Sequence, residues 1–334
     1  MRVTFFHVGD GDCVLLNATT DDDGCERQHH ILVDGGRKTQ FRDHAREELY
    51  QLDSIDLVCV SHIDDDHISG VVAMIEDAVR WRVHNHLRAS DRRSRKPRFP
   101  EPPAIEEIWH NSLFELVGDA LEPAIEASLA NTASALGGSG SAELRRHAAR
   151  CQNLANGERS SMELSRRISS RQLGIPRNRP RNEVMAVGEP GIRRVGPFTI
   201  RIIGPTTEAV ADLEQRWATW LRANTKMLEK LQAEMLEDEE RLADAVGGSP
   251  GADVATALGD GTISEPNLAS LMLFVQERDG GPTVLLTGDG SSEDILEGLE
   301  RQGRLDDDGR IHVDVLKVQH HGAEANVPTE FVVR

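Results

Sequence analysis

Apolar and polar positions along the chain alternate between two periods. In the first 35 residues three short apolar runs, VTFFHV, CVLLNA and HHILVDGG, are separated by Gly/Asp-rich turns, a pattern that predicts a β-meander. A helical stretch around Arg42 to Leu52 follows, and then a strand from Ile55 to Val60. From Ile68 to Val79 apolar residues recur at helical spacing, so SHIDDDHISG, residues 61–70, lies between a buried strand and a helix N-terminus. Residues 81–103 are basic, Pro-containing and irregular, and Ile105 to His110 returns to strand.

Leu113 to about Ser169 is Ala-rich, helical in pattern and broken by GGSGS at 137–141, which reads as an insertion. Phe198 to Ile203 alternates as a strand, and Glu208 to Val246 is a charged, helix-forming stretch ending at GGSPG. Strands return at Ser270–Gln276, Pro282–Thr287 and Val313–Val318, with a helix from Ser291 to about Gln302 before the last of them. Two β-rich segments around a helical middle predict one α/β domain over residues 1–334. Its core falls in 1–80, 104–112 and 196–334, with insertions at about 81–103, 113–195 and 208–262.

Composition narrows the class. A chain of 334 residues with 38% hydrophobic content can bury a sizeable core. No run approaches the length of a membrane span and the N-terminus lacks a signal core, so a cytoplasmic protein without a membrane partner is expected. Cys13, Cys25, Cys59 and Cys151 contain no CxxC pair, which argues against a disulfide scaffold or a cysteine zinc knuckle. The net charge of −18 would discourage nucleic-acid binding were it evenly spread. Two segments run the other way: 88–98, with Arg92, Arg93, Arg95, Lys96 and Arg98, and 171–181, with Arg177, Arg179 and Arg181. Either segment alone reads first as a solvated loop.

The crowding of His62, Asp64, Asp65, Asp66 and His67 is repulsive unless a cation resolves it. In extended chain, residues two apart point the same way, so His62 and Asp64 can grip one ion, while Asp66 and His67 face a second as the chain enters the helix. The competing reading makes DDD an acidic helix cap. Three other motifs favour metal. Asp289 in TGDG ends an apolar strand and can bridge two ions, and His320 and His321 in LKVQHHG follow another strand. Asp34 in VDGG suits an orienting partner behind a ligand.

In order and strand context, VDGG, HIDDDH, TGDG and QHHG resemble the metallo-β-lactamase superfamily. With FFHVGDGDCVLL and the NLASLMLFV run, they look like the metallohydrolase domain of competence-type DNA-uptake proteins and related bacterial nucleases. The resemblance implies a four-layer αββα sandwich carrying helical insertions. It also implies two divalent ions, Zn or Mn, on His62, Asp64, Asp66, His67 and the bridging Asp289. One of His320 and His321, with His321 slightly favoured, supplies the last ligand, and the other contacts or protonates the leaving group. Asp66, His320 and His321 are thus the catalytic candidates, Asp34 stands behind the ligands, and His110 in IWHNS is a further candidate ligand. Asp64 stands where the family usually has histidine, which shifts the expected metal toward manganese or mixed occupancy.

Such a centre hydrolyses phosphodiesters, and also lactams, lactones or thioesters. The two basic segments favour a nuclease, with DNA as the expected partner. Alternatives are a hydrolase of a small phosphorylated molecule or ester, and a non-catalytic interaction protein that presents the charged 208–246 stretch. Only twelve residues follow His-His-Gly, where a further strand of the fold is due. This leads to the expectation of missing final strands supplied by a protein partner, or of an activating protease, as a restrained antiviral defence nuclease would need.

Overall fold

Val14 and Leu16 face one side of β2 (Val14–Asp22) while Leu15 faces the other, and in β3 (Cys25–Val33) Ile31 and Val33 lie beside them while Leu32 turns away. Both faces are therefore apolar, as in a sheet covered on both sides. These positions come from a computed structural model of the chain. It describes residues 1–22, 24–90, 93–111, 160–161, 163–170, 172–179, 185–187, 192–211, 270–278, 280–319 and 331. The chain divides into two compact units, Met1–Asn111 with Ser160–Val210 and Pro266–Arg334, and Ser112–Arg159 with Ala211–Glu265. Except for Ala211 the second unit lies outside the described residues, and with it most of the expected insertions at 113–195 and 208–262.

In the first unit one sheet has the order β1-β2-β3-β5-β7, with β1 at Arg2–Phe5, β5 at Leu57–Val60 and β7 at Ile108–His110. β1, β2 and β3 are antiparallel neighbours, whereas β5 joins β3 and β7 joins β5 in parallel. A two-stranded ribbon of β4 (Ser54–Ile55) and β6 (Ala104–Ile105) flanks it. The second sheet has the order β12-β11-β10-β9-β8, with β8 at Ile192–Val195, β9 at Phe198–Gly204, β10 at Met272–Glu277, β11 at Thr283–Leu286 and β12 at Val315–Lys317.

The inner faces of the two sheets meet in one core: Leu16, Val33, Leu57, Cys59 and Trp109 from the first, Phe198, Ile200, Leu273, Val275 and Val284 from the second. Each such side chain is worth about 1.5–3 kcal/mol when fully buried. A one-residue slip would turn a whole strand's set outward, so this burial fixes the register. Helices cover both outer faces. α1 (Lys38–Gln40), a π-helical turn over Phe41–Ala45, α2 (Arg46–Leu49) and α3 (Asp65–Ala89) bring Phe41, Leu49, Ile68, Val71 and Ile75 onto Leu15, Leu32 and Val58. On the other side α4 (Ser292–Arg301) sets Ile295 and Leu299 against Ile203, Phe274 and Leu285. The layers run α, β, β, α, the expected sandwich.

One element is longer than its sequence pattern. The periodic apolar stretch ends at Val79, yet α3 runs on to Ala89, replacing the irregular chain expected from Trp81. WRVHNHLRA contains no glycine or proline to stop a helix, and Trp81 and His84 bury themselves while their polar neighbours stay in solvent. No helix among the described residues is long and apolar enough to cross a membrane.

Candidate metal centre

Parallel pairing brings the C-terminal ends of β3, β5 and β7 to one edge of the first sheet, and those of β11 and β12 to one edge of the second. Leu271 N donates to Ser61 O at 2.7 Å, tying these edges together. Asp34 leaves β3 with φ 59°, a left-handed conformation that Asp tolerates better than most residues. Its carboxylate accepts from Ser61 N and Ser61 Oγ, both at 2.7 Å, and from His67 Nδ1 at 2.9 Å. One buried group thus fixes the start of the strand-to-helix turn and the imidazole at its end.

Glycine makes that closeness feasible. Gly35 N donates to His67 O and Gly70 N to Gly36 O, both at 2.8 Å. A Cβ on Gly70 would lie 2.0 Å from Gly35 O, and one on Gly11 would lie 2.0 Å from Asp66 O. The terminal glycine of SHIDDDHISG is therefore a packing requirement of the site.

Within this frame His62, His67 and Asp289, all buried, present ligand atoms within 4.8 Å of one another. His62 Nε2 lies 3.7 Å from Asp289 Oδ2 and 3.8 Å from Asp64 Oδ2, and His67 Nε2 lies 3.6 Å from Asp289 Oδ1. These separations are too long for hydrogen bonds and suit donors turned toward a common point. Asp64 occupies the N-cap position of α3, but its side chain makes no capping hydrogen bond. The cap explanation of DDD therefore does not account for Asp64.

The donor set fits a divalent cation. His62 Nε2 is buried without a hydrogen bond among the described residues, and two imidazole nitrogens with carboxylate oxygens match the preferences of Zn²⁺ or Mn²⁺. A second group of three, Asp12, Asp34 and His67, also lies within 4.8 Å. There His67 Nδ1 already donates to Asp34, and Asp12 forms an ion pair with Lys317. In the first group, separations of 3.7 and 3.6 Å between the imidazole nitrogens and the Asp289 oxygens suit a shared cation.

Burial, reinforced by the neighbouring His67, drives the His62 imidazole down to about 3, so it stays neutral and able to ligate. Burial pushes His67 the same way, but Asp34, Asp289 and Asp12 outweigh it and lift it to about 10. For Asp34 the burial penalty is likewise overcome by His67, which holds the carboxyl below its ordinary range. Asp12 is raised by burial against the opposing pull of His67 and Lys317.

Residues 23–141 match the family model of the Metallo-beta-lactamase superfamily. Most members of the metallo-β-lactamase superfamily are metal-dependent hydrolases. The matched span contains Asp34, His62, Asp64, Asp66 and His67, whereas Asp12, Asp289 and Lys317 lie outside it and join the site through the fold. No curated protein matches the chain significantly.

Of the other expected residues, Asp66 is buried with Oδ2 3.7 Å from Arg37 Nη2, and it belongs to neither donor group. Asp65 accepts from Arg37 Nη1 at 3.2 Å and is likewise in neither group. His110 ends β7 fully buried, with Nε2 3.0 Å from Ser161 Oγ, and is in neither group. His320, His321, Arg92 and Arg181 lie outside the described residues. Arg93, Arg95, Lys96 and Arg98 are exposed on the segment beside the C-terminal half of α3, where Lys96 Nζ lies 5.4 Å from the Trp81 ring. Arg177 and Arg179 follow the edge of β7, with Arg179 Nη2 donating to Glu106 O at 3.1 Å.

Asp12, Ser61, Arg37 and Lys317 were not singled out from the sequence. Lys317 carried the clearest signal, a cation inside the otherwise apolar strand run VLKV; the others sit in turns whose partners are far away in the chain.

Proposed function

We propose that the chain is a metal-dependent phosphodiesterase that acts as a nuclease on DNA, through two divalent ions, Zn or Mn. The observation that supports the hydrolase part is the buried His62, His67 and Asp289 group with Asp64 at its rim and Asp34 behind it. A bound divalent ion supplies Lewis-acid polarisation of the phosphoryl oxygen and makes water nucleophilic near neutral pH. The protein's part is positional. Asp34 accepts a hydrogen bond from His67 Nδ1 and so orients the ring with Nε2 toward the centre, where a bound cation would take the place of the Nε2 proton. Asp289 aims one oxygen at each imidazole. In this reading His321 completes the ligand set and His320 protonates the departing oxygen.

The exposed basic run 93–98 in a chain of net charge −18 favours a polyanionic substrate over a neutral ester. The test is cleavage of single-stranded, double-stranded and circular DNA by the metal-loaded wild type and by Asp289→Ala, beside a small phosphodiester and an ester. Metal-dependent DNA cleavage that falls by at least about 10³ in Asp289→Ala is expected. Equal cleavage by both proteins would end the reading, and hydrolysis of the small substrates alone would replace it with a small-molecule hydrolase.

A further inference from the structure

Lys317 is the last residue of β12 and is buried, an unusual place for an ammonium group. Its Nζ donates to Gly288 O at 2.9 Å, lies 3.7 Å from Asp289 Oδ1, and forms an ion pair with Asp12. Thr287 Oγ1 donates back to Lys317 O at 2.7 Å, so the strand and the TGDG turn are fastened to each other twice. Asp12 in turn lies 3.7 Å from His67 Nδ1. The ammonium therefore stands between a carboxylate that belongs to the His62, His67 and Asp289 group, Asp289, and one that does not, Asp12.

The geometry points to Asp12 and Lys317 as a charge-compensated clamp that sets how tightly the centre holds its cation. Lys317 keeps Asp12 from acting as an extra anionic donor, and Asp12 keeps Lys317 from turning its full charge on Asp289. Both are positioning residues that act through Asp289 and His67. The inference rests on the metal-centre reading above and adds to it that the affinity is tuned from outside the ligand set.

Charge arithmetic gives the two halves of the clamp opposite effects. Without Lys317, Asp12 is an uncompensated anion at the edge of the centre and draws a cation in. Without the Asp12 charge, Lys317 has Asp289 as its nearest carboxylate among the described residues and competes with the metal for it. Interactions over such short distances in a buried site are strong enough to move affinity by at least about tenfold in each direction.

The experiment is calorimetric titration of the metal-stripped full chain with Mn²⁺, or with Zn²⁺ should Mn²⁺ not bind, together with thermal melts. Lys317→Met should bind the ion at least about tenfold more tightly than wild type and Asp12→Asn at least about tenfold more weakly. The double variant should return to within about threefold of wild type, and Lys317→Arg should resemble wild type. A merely structural contact would instead lower thermal stability in both single variants and shift affinity the same way, or not at all, and that result would overturn the clamp. Should Lys317→Met fail to fold, wild-type affinity in Asp12→Asn overturns it alone. A wild-type chain that binds neither Mn²⁺ nor Zn²⁺ sinks the metal centre itself and the clamp with it, whereas wild-type binding with same-sign single variants sinks only the clamp.

Discussion

At Asp34 one carboxylate holds Ser61 N, Ser61 Oγ and His67 Nδ1 in a fully buried position. Asp34→Asn removes the charge that offsets a raised His67, and breaking one partner of a buried ionic pair costs about 3–5 kcal/mol. Loss of an orienting partner behind a ligand also weakens metal binding by about 10–100-fold. Denaturant melts of the metal-free protein and Mn²⁺ titration of the folded variant check the two effects separately. His110 gives a pH prediction. Burial, aided by Arg177, lowers its folded value to about 3 from an ordinary 6.5. The unfolded chain then takes up a proton below pH 6.5 that the folded chain refuses. Its stabilising contribution is whole above 6.5 and shrinks as pH falls toward 3, at about 1.4 kcal/mol per pH unit. His110→Gln should flatten the pH dependence of unfolding free energy between pH 6.5 and 4.5 by that amount, and an unchanged slope would show that His110 does not titrate this way. At this scale residue types were legible and pairings were not. VDGG and HIDDDH advertised donors, but nothing local in the sequence links Asp12, just before β2 in one sheet, to Lys317, at the end of β12 in the other, and the two meet only when the sheets pack face to face.

Elements were legible where one period dominated. The strands around Leu16, Val33, Val58 and Leu285 announced themselves as short apolar runs because both faces of each are covered. The second half of α3 did not, since its apolar positions thin out to Trp81 and His84 while the helix continues on propensity and on contacts with the following segment, including the Trp81 Nε1 bond to Phe99 O at 3.2 Å. The first turn of α3 is where element and site coincide. Ordinarily Gly→Ala inside a helix stabilises by about 0.5–1 kcal/mol. At Gly70 the added methyl would meet the Gly35 carbonyl, so Gly70→Ala should instead destabilise by about 1–3 kcal/mol, the usual range for overpacking. Because the helix must then retreat from the VDGG loop, Mn²⁺ affinity should fall along with the melting temperature. A more stable variant with wild-type affinity would show that the two backbones are not in contact.

For the whole molecule, charge asymmetry was readable from composition but its geometry was not. The sequence suggested that residues 88–98 guide a polyanion to the metals. In the fold this segment, through Arg95, Lys96 and Arg98, lines a cavity of about 470 Å³ with Val79 and Val83 of α3, whereas Asp66 and His67 lie in the first turn of the same helix. Val79 and Val83 are twelve and sixteen residues beyond His67, roughly 18–24 Å at 1.5 Å per residue. A nucleic acid that touches both places must span about 5–7 base steps at 3.4 Å each. Under the nuclease reading kcat/KM should therefore rise steeply once DNA substrates exceed about 7 base pairs, a length dependence that a pocket for small phosphate esters would lack. Replacing Arg93, Arg95, Lys96 and Arg98 with glutamate should remove that rise and reduce the salt slope of DNA binding by about 3–4, close to one unit per lost phosphate contact. Cleavage of a duplex series at several ionic strengths measures both quantities. If length dependence and salt slope survive the four substitutions, the basic segment is off the substrate path and Arg177 and Arg179 along β7 become the next residues to reverse.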